Sequence, residues 1–161
     1  MAAASRPPLR VALVSDTHNL VRPELLSFVA GCDAIVHAGD ICDQAVLDTL
    51  RAVAPLTAVR GNNDRGAWAD ALPALATLDV GGVRLAVVHE LRDLRIDLAA
   101  QRVSIVVSGH SHKPGLETRD GVVYVNPGSA GPRRFKLPIC AAMLTVGANG
   151  EFRVEPANLV D

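Results

Sequence analysis

Short apolar runs alternate with polar turns along the whole chain, and the spacing of the apolar positions distinguishes strands from helices. Leu9-Arg-Val-Ala-Leu-Val-Ser15 is short and rich in β-branched residues, which predicts a strand buried on both faces. Pro23 at a first helical position, followed by Glu24, Leu25, Leu26, Phe28 and Val29 with Gly31 as a stop, predicts a short amphipathic helix. A strand over Ala34–Ala38, a helix over Asp43–Val53 and a strand over Leu56–Val59 continue the pattern to βαβαβ, with right-handed crossovers and a mainly parallel sheet. A less regular loop is expected from Asp64 to Pro73, and then Thr77–Val80 and Val83–Val88 around Gly81-Gly82 predict a hairpin. A helix over Leu91–Gln101 and a strand over Val103–Val107 follow. The runs Leu116–Arg119, Val122–Asn126, Ile139–Val146 and Phe152–Glu155 read as antiparallel strands. The fold class expected is α/β, with two mixed sheets packed face to face and flanked by helices.

The length, 161 residues, suits one domain of ordinary size, expected over residues 9–161 behind a disordered tail at 1–8. With 49% hydrophobic and 20% charged residues the chain can bury a core, which excludes global disorder. A net charge of −1 gives no general attraction to nucleic acid or anionic lipid. The longest apolar stretch, Leu137 to Val146, is too short to span a bilayer, and Met1 to Pro8 lacks the apolar block of a secretory signal. A soluble, cytoplasmic protein is expected. Cys32, Cys42 and Cys140 show no Cys-x-x-Cys spacing and are expected to be reduced, buried fillers.

Chemistry concentrates in the turns after the predicted strands, where open α/β sheets bind ligands. Asp16-Thr-His18 follows the first strand, Gly39-Asp40 the second, Gly61-Asn62-Asn63-Asp64 the third, His89 the hairpin strand and Gly109-His-Ser-His112 the next. Carboxylate, amide and imidazole donors together suit divalent Mn, Fe, Zn, Co or Ni better than calcium or magnesium. In an extended segment alternate residues point the same way, so Asp16 with His18 and His110 with His112 are each expected to turn toward one pocket. Each motif is weak singly; five in order at strand ends are not.

These blocks resemble the calcineurin-like metallophosphoesterases, in particular the small single-domain bacterial and archaeal phosphodiesterase branch, and Asn126-Pro-Gly-Ser129 is similar to a block of that branch. The resemblance covers nearly the whole chain and implies an αββα sandwich. Carried over by position, it implies that Asp16, His18 and His112 bind one metal, that Asn62, His89 and His110 bind a second, and that Asp40 bridges them. It further implies two divalent ions, manganese first among them, sharing a hydroxide that attacks a small phosphate diester; two-metal sites of this kind hold their ions roughly 3.5–4 Å apart. Asp40, Asn63 and Asp64 form the expected catalytic set.

The chain departs from the pattern twice. Asn63 stands where many relatives have a histidine able to protonate a leaving group; an amide is a poor acid, which favours diesters or activated esters. Glu90 stands where the branch usually has glycine, and two readings stay open: it narrows substrate choice, or it points into solvent. His37 reads as a hydrogen-bonded core residue rather than a ligand. Asp64 reads as an acceptor that orients a ligand or as a turn residue, and Asn126 to Ser129 as turn geometry. Arg133, Arg134 and Lys136 read as a solvated face or as steering charges, and Arg65 and Trp68 as a substrate rim, with a core or subunit-contact role equally open for Trp68. The expected partner is a small phosphate ester, with neither long nucleic acid nor membrane, and a homo-oligomer is suspected. The competing function is a protein-binding scaffold on the same fold with an idle metal site.

Overall fold

Ten strands divide into two mixed five-stranded sheets in the computed structural model, which describes residues 6–160. The first sheet runs β10-β9-β1-β2-β3, with β1 at Leu9–Val14, β2 at Ala34–His37, β3 at Leu56–Ala58, β9 at Cys140–Val146 and β10 at Phe152–Asn158. The second runs β4-β5-β6-β8-β7, with β4 at Leu75–Val80, β5 at Val83–Val88, β6 at Ile105–Val107, β7 at Gly115–Arg119 and β8 at Val122–Asn126. β1, β2 and β3 are parallel in one sheet, and so are β5, β6 and β8 in the other. The pairing of β8 with β6 corrects the expectation of purely antiparallel strands after residue 115; β8 is antiparallel only to β7.

The apolar character of β1 from Val11 to Val14 follows from its place in the middle of a sheet covered on both faces. Val11 and Leu13 pack between the sheets with Val36, Leu85, Val87, Ile105 and Val107. Ala12 and Val14 face the other way, onto Leu25 and Val29 of α1 (Pro23–Val29) and Leu47 and Leu50 of α2 (Gln44–Arg51). Fully burying one such aliphatic side chain stabilises by roughly 1.5–3 kcal/mol. Pro23 opens α1 as expected. The Asp43 side chain accepts the Ala45 amide at the start of α2, a cap worth about 1 kcal/mol.

The second outer layer is not a helix. The expected helix over Leu91–Gln101 is a single 3-10 turn, Leu91–Asp93, followed by an irregular segment. In that segment Leu94, Ile96 and Leu98 alternate with exposed neighbours and all pack on Val103, Val106 and Ala86. Residues two apart share a face only in extended chain, so burying Ile96 together with Leu94 and Leu98 is incompatible with a helix. Within the expected loop before Pro73 lies a one-turn helix, α3, at Ala67–Asp70. Arg6 to Pro8 are exposed and irregular; the rest of the expected tail, residues 1–5, lies outside the described residues. No helix among the described residues is long and apolar enough to cross a membrane.

Candidate metal centre

The parallel strands of both sheets end on one side, and their turns interlock there through the backbone. The amides of Asp16 and His18 donate to the carbonyls of Gly39 and Asp40, each at 3.0 Å, and the Gly109 amide donates to the His89 carbonyl at 2.9 Å. The expected extended geometry of Asp16–His18 and His110–His112 is not what aims these side chains. Asp16, His18, Asp40, His110 and His112 have φ of 54°, 43°, 59°, 76° and 62°, so these five of the seven ligand candidates sit in left-handed backbone, whereas Asn62 and His89 do not. That region costs a non-glycine residue about 1–2 kcal/mol, and such strain collects at functional sites held by surrounding contacts. Gly39 is needed for two reasons: its φ is 101°, and a Cβ there would lie 2.7 Å from Nδ1 of His89.

Two groups of donors result. Nε2 of His112 and Nε2 of His18 lie 3.5 and 3.8 Å from Oδ1 of Asp16, and 3.1 Å from each other. Nε2 of His89 lies 2.8 Å from Oδ1 of Asn62, which is 3.2 Å from Nδ1 of His110. Oδ2 of Asp40 stands between the groups, 3.5 Å from Nε2 of His18 and 3.4 Å from Nε2 of His89. Asp16 also belongs to both sides: ligand atoms of Asp16, His18 and His112, and separately of Asp16, Asp40 and His89, all fall within 4.8 Å of one another.

A cation fits this donor set on three counts. Oδ2 of Asp16 accepts from the Ser15 hydroxyl at 2.7 Å and the His110 amide at 3.0 Å, but Oδ1 is buried without a hydrogen-bond partner. A buried carboxylate oxygen left unpaired is costly unless something positive meets it. Atoms bound to one ion at about 2.0–2.2 Å stand roughly 3–3.6 Å apart, which matches the spacing around Asp16 and Asp40. Finally, Nδ1 of His89 is held by the Ala38 carbonyl at 2.8 Å, which turns Nε2 toward Asp40 and Asn62.

The electrostatics agree. Burial pushes the Asp16 carboxyl up, but the neighbouring His18 imidazole, the hydrogen bond from Ser15 and the charges of His89 and His112 outweigh it and hold it below the usual carboxylate range. Asp40 behaves likewise: burial raises it, and His89 together with the Asn63 amide brings it well below. His89 is pushed down by burial and raised further by Asp40, a net rise. His112 is lowered, chiefly by burial. His37 is fully buried and lowered to about 4 by that burial; its Nδ1 accepts the Gly39 amide at 3.1 Å and its Nε2 meets the Thr17 hydroxyl at 2.9 Å, so it braces the turns from behind.

The remaining candidates divide clearly. The Asn63 amide groups, backbone and side chain, donate to Oδ1 and Oδ2 of Asp40, each at 2.9 Å. Asp64 touches no candidate ligand side chain; its carboxylate accepts the backbone amides of Asp40, Ile41, Cys42 and Gly61 at 2.7–3.0 Å and clamps the β2 and β3 turns together. Asn126 and Ser129 do more than shape their own turn: the Asn126 amide donates to the Gly109 carbonyl and the Ser111 hydroxyl, and the Ser129 hydroxyl to the Asp16 carbonyl. Glu90 does not point into solvent; its side chain is 13% exposed, with Oε1 3.6 Å from Nδ1 of His110. Arg133, Arg134 and Lys136 are exposed, Arg65 is exposed, and Trp68 packs against the helix-covered core. Cys32 and Cys140 are buried as expected, but Cys42 is only partly so, its Sγ 3.7 Å from Nδ1 of His18 and its thiol raised to about 11 by burial and by Asp64. Neither Ser15 nor Cys42 carried any signal in the sequence.

Comparison with known proteins agrees with the geometry. Residues 9–149 match the calcineurin-like phosphoesterase superfamily domain. A probable metallophosphoesterase of Methanocaldococcus jannaschii is 30% identical over 132 residues, spanning 74% of this chain and 67% of its own. Among solved structures, Vacuolar Protein Sorting 29 of Cryptosporidium parvum superposes with a TM-score of 0.76 at 16% identity, covering 94% of this chain and 98% of that one. A protein described as a novel archaeal phosphodiesterase does so with a TM-score of 0.73 at 18% identity, covering 92% and 100%. At such identities the structural likeness concerns the fold alone, whereas the sequence match runs from β1 to beyond β9 and takes in every turn of the centre: this chain belongs to the calcineurin-like phosphoesterase superfamily.

Proposed function

We propose that this protein is a metal-dependent phosphoesterase acting on small phosphate diesters. The observation that carries the reading is the unpartnered, buried Oδ1 of Asp16, faced by His18 and His112, with Oδ2 of Asp40 turned toward both groups of donors. The names of the archaeal relative and of the archaeal phosphodiesterase of the same fold support it. Asp16, His18 and His112 would hold one divalent ion, Asn62, His89 and His110 a second, and Asp40 would be shared; manganese suits the mixed nitrogen and oxygen donors, as do iron, cobalt, nickel and zinc. Bound there, such ions supply Lewis acidity toward phosphoryl oxygens and toward a water.

The protein's own groups do the rest. Asp64 keeps the Asp40 and Asn62 turns in register by accepting four backbone amides. Asn63 holds the Asp40 carboxylate in orientation through two hydrogen bonds. An amide cannot deliver a proton, so a leaving group near Asn63 departs without help from it, which favours diesters with good leaving groups over alkyl monoesters.

The test is hydrolysis of bis-p-nitrophenyl phosphate by metal-stripped protein before and after adding manganese. Activity should return with the metal and fall about a thousandfold or more in Asp40→Ala. No hydrolysis with manganese, iron, cobalt, nickel or zinc, or full activity in Asp40→Ala, would overturn the proposal.

A further inference from the structure

Glu90 lies beside the most exposed histidine of the centre. The His110 side chain is 47% exposed, and Oε1 of Glu90 stands 3.6 Å from its Nδ1. The other oxygen, Oε2, pairs with Nε of Arg92 at 2.6 Å. Arg92 is itself 80% exposed, so its charge is spread into water and offsets only part of that of Glu90, which is 13% exposed. Asp16 and Asp40 face inward toward the metal positions; Glu90 adds a third carboxylate on the side from which an anion would approach. Two divalent ions against Asp16 and Asp40 leave a charge of about +2, and Glu90 lowers it.

We infer that Glu90 is a specificity-determining residue: its carboxylate, braced by Arg92 beside His110, biases the centre against phosphoryl groups carrying two negative charges and toward those carrying one. This rests on the phosphoesterase reading and names its substrate class from a second, independent feature. Repulsion grows with the charge of the incoming group, so a phosphate monoester or inorganic phosphate, dianionic above neutral pH, suffers about twice the penalty of a diester. Glu90 makes no bond to the reacting atoms; it acts through the field at the mouth.

The experiment is calorimetric titration of manganese-loaded full chain at pH 8 with inorganic phosphate and with dimethyl phosphate, alongside elemental analysis of bound manganese. Glu90→Gln should tighten inorganic phosphate about tenfold and dimethyl phosphate no more than about threefold, with manganese content unchanged. Glu90→Asp, which keeps the charge, should retain the wild-type ratio. Equal shifts for both anions, or loss of the ratio in Glu90→Asp, would overturn the inference, and a drop in bound manganese in Glu90→Gln would make Glu90 a metal ligand instead. Failure of the wild-type chain to hold manganese or to bind either anion would be a different result, sinking the phosphoesterase reading and this inference with it.

Discussion

His110 and His112 come from the same His-Ser-His turn, yet one side chain is 47% exposed and the other 3%. His112 joins Asp16 and His18 in a group closed in by hydrogen bonds to the Gly39 and Asp40 carbonyls and from the Ser129 hydroxyl. His110 joins Asn62 and His89 in a group that opens past Glu90. The closed half of the centre, with Asp16, His112 and also His89 at 4% exposure, is thus part of the protein's interior, and the open half, His110 with the exposed Asn62, is its mouth. The lesson is that identical residue types acquire different duties from burial alone: change in the closed half should cost the fold, and change in the open half should cost the chemistry.

Four measurements can break or sharpen that contrast. The largest stability effect belongs to Asp64→Ala, which strips the acceptor from four amides that tie the Asp40 and Gly61 turns behind the centre; metal-stripped protein should lose roughly 3–5 kcal/mol by urea unfolding, and a loss under about 1 kcal/mol would show that water replaces the clamp. His37 comes next. Its folded pKa of about 4 lies below the ordinary 6.5, so between those values the unfolded chain binds the extra proton. The stability it protects is complete above pH 6.5 and falls as pH drops, by about 3 kcal/mol once pH 4 is reached. Subtracting the pH profile of His37→Gln from that of the wild type isolates this slope, and parallel profiles would refute it.

Asn126→Ala should cost about 1–2 kcal/mol, because it frees the Gly109 carbonyl and the Ser111 hydroxyl at the border of the two halves. Smallest is His110→Ala, expected to stay within about 0.5 kcal/mol of wild type while manganese-dependent diester hydrolysis is lost. If His110→Ala destabilised the fold as much as Asp64→Ala, the division into closed and open halves would fail.

Much of the architecture was legible in the chain. Strands β1, β2, β5, β8 and β9 are short apolar runs bounded by glycines or polar clusters, and the seven metal-binding candidates stand in the turns after β1, β2, β3, β5 and β6. Leu91–Gln101 was misread because Leu91, Leu94 and Leu98 satisfy a helical period, while the decisive Ile96 fits only the alternate one, and which period wins depends on the face of the second sheet beneath it. Asp64 shows the same limit: its type and position suggested a role near the ligands, but nothing in Asn62-Asn63-Asp64 tells that the carboxylate reaches back to amides of the Asp40 turn.

By itself the sequence determined the order of the strands, the chemical types of the donors and their placement at strand ends, since these follow from local periodicity and from what each side chain can bind. The tertiary structure decided the rest: which turns meet, which ligand candidates adopt left-handed backbone, and which of two neighbouring histidines is enclosed. Those outcomes depend on contacts between residues far apart in the chain, such as Ser129 with Asp16 and Asp64 with Asp40, and no local preference encodes them.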